Sequence, residues 1–522
     1  MKRILLILPV ATAIFLAACG GGSNITPPPP AGTFSDASLK GQYAFSMSGI
    51  DTNGAYIARV GSFVADGNGS ITAGLEDLVQ GSSGASEITF SGGSYTIQSN
   101  GRGLLVFTNT NGGGLQLNIA LLSTSQGVMV QTDLNDSTSG GFALQTPSEF
   151  SVNALKGNYV FDFSGISFSG TNAAPLSVVG EVTLDGTGNV TSGVLDSNDG
   201  TVSAAQAIPL GTYQMDSTGN GTNFGRGTMN FANSTYAFYI VDNSRVKIIE
   251  EDSSAATEGD ATLQSSNVPT QNSGFNGSFV YLVGGSSLVA NGGALAQVAR
   301  FTSDGNGGVT AISLDQNNDG NTTHISQGNN ITNANYVIDS AHAGTGRGTL
   351  SFKDSNLGQI NYVFYLVSPA EAVIQNISVN VVADGLMQSQ SGSSFTNASV
   401  AGNYVFNWTG IQIGSQTFVP LAENFVGLYT LSSAASNNLT GVMDYTEMGT
   451  TGSTLYSDIG LAGHLSVNSD GTANNTFQVV GGSPSSTTFN FVAYVVSPNT
   501  TYVLCTDSTR ITSGIATIQT VP

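Results

Sequence analysis

Apolar residues in this chain come in short runs, and along most runs they alternate with polar ones. A period of two is the mark of a strand with one buried face. One such run is written four times: Leu39-Lys40-Gly41-Gln42-Tyr43-Ala44-Phe45, Leu155-Lys156-Gly157-Asn158-Tyr159-Val160-Phe161, Phe275-Asn276-Gly277-Ser278-Phe279-Val280-Tyr281 and Val400-Ala401-Gly402-Asn403-Tyr404-Val405-Phe406. Each predicts a strand entered through a glycine, with two aromatics sharing one face. Gly41, Gly157, Gly277 and Gly402 stand 116 to 125 residues apart, which is the size of a small domain. The repeat divides the chain into units at 35–147, 152–265, 273–391 and 396–522.

Other landmarks recur inside each unit. A second apolar run ends in a turn at Asp66-Gly67, Asp185-Gly186 and Asp304-Gly305, a strong hairpin signal because glycine supplies positive φ. A tyrosine strand follows (Tyr95, Tyr213, Tyr336) and closes on Gly-Arg-Gly around Arg102, Arg226 and Arg347. Unit four departs here, with Asp470-Gly471-Thr472 and no arginine. Further strands lead to a closing one that starts at glycine and ends near Gln145, Gln264, Gln388 or Gln390, and Gln519. The pattern predicts an all-β protein of four tandem antiparallel meander domains, about eight strands each. Eight strands suffice to close a barrel, and the same spacing also allows a two-sheet β-sandwich. The short connections at 146–152 and 265–274 predict domains strung as beads with limited freedom.

Composition narrows the function classes. Charged residues are only 9% of the 522 positions and 67 are glycine, with the polar faces filled by Ser, Thr and Asn. That composition suits strands and turns better than helices. The formal charge is −21. Such acidity argues against nucleic acid, which requires a basic face. Of the two cysteines, Cys505 lies in a strand-like run with no neighbouring base to activate it, and no disulfide with Cys19 is expected.

The amino terminus reads as an address. Met1-Lys2-Arg3 is a short positive segment, and Ile4 to Phe15 is apolar but too short to span a bilayer. Leu16-Ala17-Ala18-Cys19 follows and resembles a bacterial lipobox. The resemblance implies a signal peptide over 1–18, acylation of Cys19, and a mature protein held in the membrane by its lipid. Several acyl chains anchor stably at ~0.8 kcal/mol per buried CH₂. Gly20 after the cysteine is similar to lipoproteins sent on to the outer membrane or cell surface. Residues 19–34, with Pro27 to Pro30, read as a Gly/Pro-rich tether.

The Gly-x-aromatic opening and the eight-strand meander resemble the calycins, the lipocalin and avidin barrels. This chain carries Tyr43, Tyr159, Phe279 and Tyr404 where those families usually have Trp. The resemblance implies a barrel fold and no particular ligand.

Candidate chemistry is sparse. Asp315-Gln316-Asn317-Asn318-Asp319-Gly320 matches the first half of an EF-hand loop, which makes Asp315, Asn317 and Asp319 weak Ca²⁺ candidates; position twelve, Ser326, lacks the bidentate Glu. Related acids fall at the same repeat address, Asp196-Ser197-Asn198-Asp199-Gly200 and Leu75-Glu76-Asp77. A plain turn accounts for all three. Arg102, Arg226 and Arg347, among few basic residues, read as structural groups capping carbonyls or packing on an aromatic, with anion or partner contact as the alternative. The signature residues Gly41, Tyr43, Gly157, Tyr159, Gly277, Phe279, Gly402 and Tyr404 read as structural. Glu250-Glu251-Asp252 reads as a solvated strand end. No nucleophile elbow, zinc motif or phosphate loop is present, so no catalytic residue and no cofactor are expected. The sequence therefore points to a non-enzymatic envelope protein for surface architecture or for binding a protein, glycan or small apolar ligand. A lipocalin-like carrier would need hollow barrels. A glycan-active enzyme would need a carboxylate-lined cleft in the divergent unit four.

Overall fold

The computed structural model describes residues 33–522, apart from 111–112, 134, 170–171, 218–219, 290–291, 327–330, 393, 414–420, 434–437, 450–451 and 481–487. Cys19, its lipobox and nearly all of the tether lie outside the described residues. The chain is all-β and forms four antiparallel eight-stranded barrels. Barrel 1 runs in simple order through β1 (Lys40–Asp51), β2 (Tyr56–Asp66), β3 (Ser70–Gln80), β4 (Ala85–Ile97), β5 (Arg102–Asn109), β6 (Gly114–Leu121), β7 (Gln126–Gln131) and β8 (Asp136–Leu144). Pairing of β1 with β8 closes it, so the barrel form, not the sandwich, is realised. Barrel 4 repeats this order over Gly402–Ile518. In barrels 2 and 3 the counterpart of β4 is broken in two, Val202–Ala207 with Gly211–Met215 and Asn321–Ser326 with Ile331–Ile338. Pro209, which cannot donate to a ladder, sits in the first of these breaks. Barrel 3 is drawn together there by a single bridge, Gly308 with Asn335.

The repeated signature has a physical basis. Gly41, Gly157, Gly277 and Gly402 have φ of +130°, +121°, +127° and +157°, conformations an L side chain rarely adopts. A Cβ on Gly41 would also lie 2.7 Å from the Leu144 side chain. The aromatic two positions on points into the barrel. Its hydroxyl then crosses to the turn between the sixth and seventh strands: Tyr43 donates to Thr124 O (2.8 Å), Tyr159 to Asn243 O (2.5 Å) and Tyr404 to Pro498 O (2.6 Å). Phe279 fills the same place without the bond. In barrels 1, 2 and 3 a second tyrosine pins the 3₁₀ turn before the opening strand, where Tyr95, Tyr213 and Tyr336 donate to Leu39 O, Leu155 O and Phe275 O.

Aromatic and aliphatic side chains fill all four interiors. In barrel 1, Tyr43, Phe63, Phe107 and Phe142 meet in stacked and edge contacts at 5.4–6.0 Å. Trp408 occupies the core of barrel 4 between Phe406, Phe477 and Phe491. Inside barrel 2 the gap among Tyr159, Phe161, Phe163 and Met229 is only about 10 Å³, too small for a ligand.

The barrels are not beads on a string. Each packs an outer face on the next, and barrel 4 packs back on barrel 1, closing a ring. Four apolar clusters mark the joints. Val60, Leu75 and Tyr239 join barrels 1 and 2; Val179, Val363 and Tyr365 join 2 and 3; Val298, Tyr494 and Leu504 join 3 and 4; Val130, Val405 and Val426 join 4 and 1.

Candidate functional site

A glutamine recurs at all four joints and an arginine–carboxylate pair at three of them, so the ring has a repeated polar grammar. The residue just past each closing strand is a glutamine, and its amide donates twice into the next barrel. Gln145 reaches Phe224 O (3.0 Å) and Ile240 O (2.6 Å). Gln264 reaches Thr345 O (2.8 Å) and Leu366 O (2.7 Å). Gln390 reaches Asp470 O (3.0 Å) and Val495 O (2.8 Å), and Gln519 reaches Asn100 O (3.0 Å) and Leu121 O (2.8 Å). In every case one acceptor is the residue before the first glycine of the Gly-Arg-Gly turn or, in barrel 4, before Gly471 of Gly471-Thr472. Gln519 of barrel 4 thereby binds barrel 1.

The three signature arginines lie at these joints and bond to acids of the preceding barrel. Arg226 is bidentate on Asp77, through Nε (2.8 Å) and Nη2 (2.9 Å), and Tyr239 donates to the same carboxylate at 2.7 Å. Arg347 repeats this on Asp196 (2.8 Å twice), with Tyr365 at 2.6 Å. Arg102 closes the ring on Asp444 (2.5 Å) and Asp458 (2.6 Å). A further acid on the loop before Arg226 and before Arg347 takes the Nη1, Asp216 at 3.0 Å and Asp339 at 2.8 Å. Burial alone would weaken the charge of Arg226 and Arg347, but these carboxylates more than offset it and raise both above the ordinary guanidinium value. The arginines therefore neither cap carbonyls nor stack on an aromatic; they are ion-paired across barrels.

Asp77 and Asp196 are thus the acids of the joints. Asp315 stands at the same register and accepts from Tyr494 (2.6 Å) and pairs with His324 (2.9 Å). The other two Ca²⁺ candidates point elsewhere. The Asn317 amide donates to Cys505 O and Arg510 O of barrel 4, and Asp319 with φ +49° forms the hairpin turn with Gly320. Among the described residues no group of three or more His, Cys, Asp or Glu is placed to hold a metal ion. Glu250 is a correction to the solvated strand end: it is buried and accepts from Thr257 at 3.0 Å, while Glu251 pairs with Arg226 at 2.7 Å. Cys505 is a buried, free thiol, and burial pushes its pKa well up.

The opening and closing strands of all four barrels line the middle of the ring. A 410 Å³ cavity there is bounded by Ser46 of barrel 1, Asp162, Glu258 and Asp260 of barrel 2, and Leu386 of barrel 3. A 590 Å³ one lies among barrels 1, 3 and 4 beside Asp384 and Asn407. Burial lifts Glu258 and Asp384 to about 7, and lifts Asp162 well above the carboxylate range with help from Asp384. Asp260 is held down to about 2, because Arg245 and Lys247 together outweigh the opposing effect of burial. In barrel 4, the buried Glu423 is met by Arg510 at 2.9 Å and by Thr512. A cleft of 730 Å³ opens at the joint of barrels 3 and 4.

No family model and no curated protein sequence matches the chain. Among solved structures, transferrin binding protein B from Haemophilus parasuis is similar at 10% identity over 78% of this chain and 86% of its own, with a TM-score of 0.19. Transferrin binding protein B from Neisseria meningitidis is similar at 9% identity over 75% and 83%, with a TM-score of 0.18. At these scores the fold rests on the chain's own strand pairing. No helix among the described residues is long and apolar enough to cross a membrane.

Proposed function

We propose that this chain is a non-enzymatic, lipid-anchored protein of the bacterial cell envelope, a rigid ring of four barrels that binds a partner on its outer surfaces. The observation that carries the reading is the closed ring itself. Among the described residues the interiors are packed with aromatic and aliphatic side chains, which counts against the small apolar cargo of a carrier, and the three signature arginines and their acids are engaged in holding barrels together. Such a body offers a fixed array of turns and clefts, which suits recognition of a protein or glycan. The lipobox Leu16-Ala17-Ala18-Cys19 supports lipidation of Cys19, and Gly20 supports export to the outer membrane or cell surface. The test is expression of the full chain and of Cys19→Ala in a Gram-negative host, followed by membrane fractionation and mass spectrometry of the amino-terminal peptide. The expected result is an acylated Cys19 peptide in the outer-membrane fraction, with the variant unacylated and released or retained as precursor. An unmodified Cys19 in the wild-type protein would overturn the anchor.

A further inference from the structure

The joint between barrels 3 and 4 has no arginine at the position that Arg102, Arg226 and Arg347 hold at the other three. Thr472 faces Tyr494 across its ladder as Arg226 faces Tyr239 and Arg347 faces Tyr365. Gln390 bonds to Asp470 O beside this turn, as Gln264 does to Thr345 O beside Arg347. Thr472 therefore stands at the arginine position. The acceptor side is kept whole. Asp315 occupies the register of Asp77 and Asp196, and Tyr494 donates to it at 2.6 Å as Tyr239 and Tyr365 do to theirs. The second acid is not kept: where the N–H groups of Asp216 and Asp339 bond back to the arginine carbonyls, that of Asn468 bonds to Thr472 O, and Asp470, two residues before Thr472, accepts from Thr472 N and Oγ1.

A cleft of 730 Å³ opens at this joint, lined by Asp315, Tyr494, Asp470, Thr472, His324 and Arg300 among others. Arg300 lies to one side, 3.4 Å from Ser278 Oγ and from Gln390 Oε1 and 3.8 Å from Asp470. It balances one of the two carboxylates and leaves the other. His324 pairs with Asp315 Oδ1 at 2.9 Å, and its side chain is 58% exposed on a hairpin edge, so a guanidinium entering from the mouth displaces a solvent-facing imidazole. The cleft thus presents a recessed carboxylate, a tyrosine hydroxyl on one of its oxygens, and a mouth. In two other joints that arrangement holds a planar guanidinium bidentately. A guanidinium matches a carboxylate with two parallel N–H donors, which an ammonium cannot do.

We propose that this cleft binds a guanidinium group supplied from outside the chain, which seats on Asp315 as Arg226 seats on Asp77 and Arg347 on Asp196. The site is independent of membrane anchoring. The test is isothermal titration calorimetry at low salt on the full four-barrel chain. The probes are butylguanidinium, butylammonium and a blocked Gly-Arg-Gly peptide. Butylguanidinium gives a saturable one-to-one isotherm at least fivefold tighter than butylammonium. Asp315→Asn weakens it at least tenfold. Thr472→Arg restores the arginine of the other joints, so it abolishes binding and leaves the melting temperature unchanged or higher, which keeps the test valid if Asp315→Asn does not fold. A peptide at least tenfold tighter than butylguanidinium assigns the group to a partner protein's arginine; equal affinity assigns it to a small alkylguanidine. No saturable heat up to roughly 10 mM, binding that survives Thr472→Arg, or a lowered melting temperature of that variant would overturn the proposal.

Discussion

At the scale of single residues, the arginines decide the joints because of what they leave behind when removed. Asp196 is fully buried and accepts from both Arg347 and Tyr365. Truncating one partner of a buried pair strands the other charge in a poorly solvated place, which costs about 3–5 kcal/mol. Arg347→Ala is therefore expected to lower stability by roughly 3 kcal/mol in chemical denaturation. Arg245, whose side chain is 37% exposed, should lose well under half as much on truncation. Equal losses would mean that burial is not what sets the strength of the joint pairs. The central acids act in the opposite sense. Glu258 titrates near 7 in the ring against 4.5 for an ordinary glutamate. Its folded value is raised, so the protein is most stable with respect to this group below pH 4.5 and loses that stability as pH rises through 7. Glu258→Gln should flatten the fall in melting temperature between pH 4.5 and 7 and make the protein more stable at pH 8, by about 1–3 kcal/mol. The lower end is expected, because Glu258 keeps an edge on the central cavity. A variant with the wild-type pH profile would show that Glu258 is solvated in the folded ring.

At the scale of the element, the opening strand shows what could be read in advance. Gly41 and Tyr43 recur because one backbone conformation and one buried hydroxyl bond recur, and both act within a single barrel. Gly41→Ala forces a side chain onto φ +130° against Leu144. We expect it to cost about 1–3 kcal/mol, whereas Gly54→Ala, with φ +79° and open space around it, should cost about 1 kcal/mol. Thermal melts of the two variants would check the order, and a reversal would mean that the entry glycine is not strained by its fold. Strand count and hairpin turns were legible for the same reason, since each depends on residues close in sequence. The joints were not. Asp77, Asp196 and Asp315 stand out as a repeated acid, and Arg102, Arg226 and Arg347 as a repeated base, but within one copy they never meet. Arg226 meets the acid of the barrel before it, 149 residues away. A reading that aligns copies with one another sees both positions and misses the offset by one copy that pairs them. Half an EF-hand pattern falls on Asp315, which stands at the register of Asp77 and Asp196. Thr472 is readable as an arginine position only beside Arg226 and Arg347 in their ladders.

At the scale of the whole molecule, the four joints are alike in grammar but unequal in consequence. Three connect barrels that are also tied by short chain segments, so their surfaces meet at high effective concentration even when weakened. The joint of barrels 4 and 1 has no such tie. Its buried apolar cluster is also the smallest, limited to Ala120, Val130, Val405, Val426 and Leu428. Ring closure there depends on Arg102 between Asp444 and Asp458, on Gln519 and on Asn407 donating to Gly140 O at 3.0 Å. Arg102→Glu would set a third carboxylate against two others with no cation beside them, and should open the ring at this joint while leaving each barrel folded. Small-angle scattering reads the difference directly. A closed body of this size has a radius of gyration of about 23 Å, against roughly 40 Å for four barrels in a row. The wild-type protein should sit near the first value, and Arg102→Glu should move measurably toward the second. Arg226→Glu, at a joint tied by residues 146–152, should stay compact and lose melting temperature instead. A wild-type value near that of the extended row would refute the closed ring. Opening in both variants alike would show that the covalent links, and not the joint chemistry, fail to hold the barrels in place.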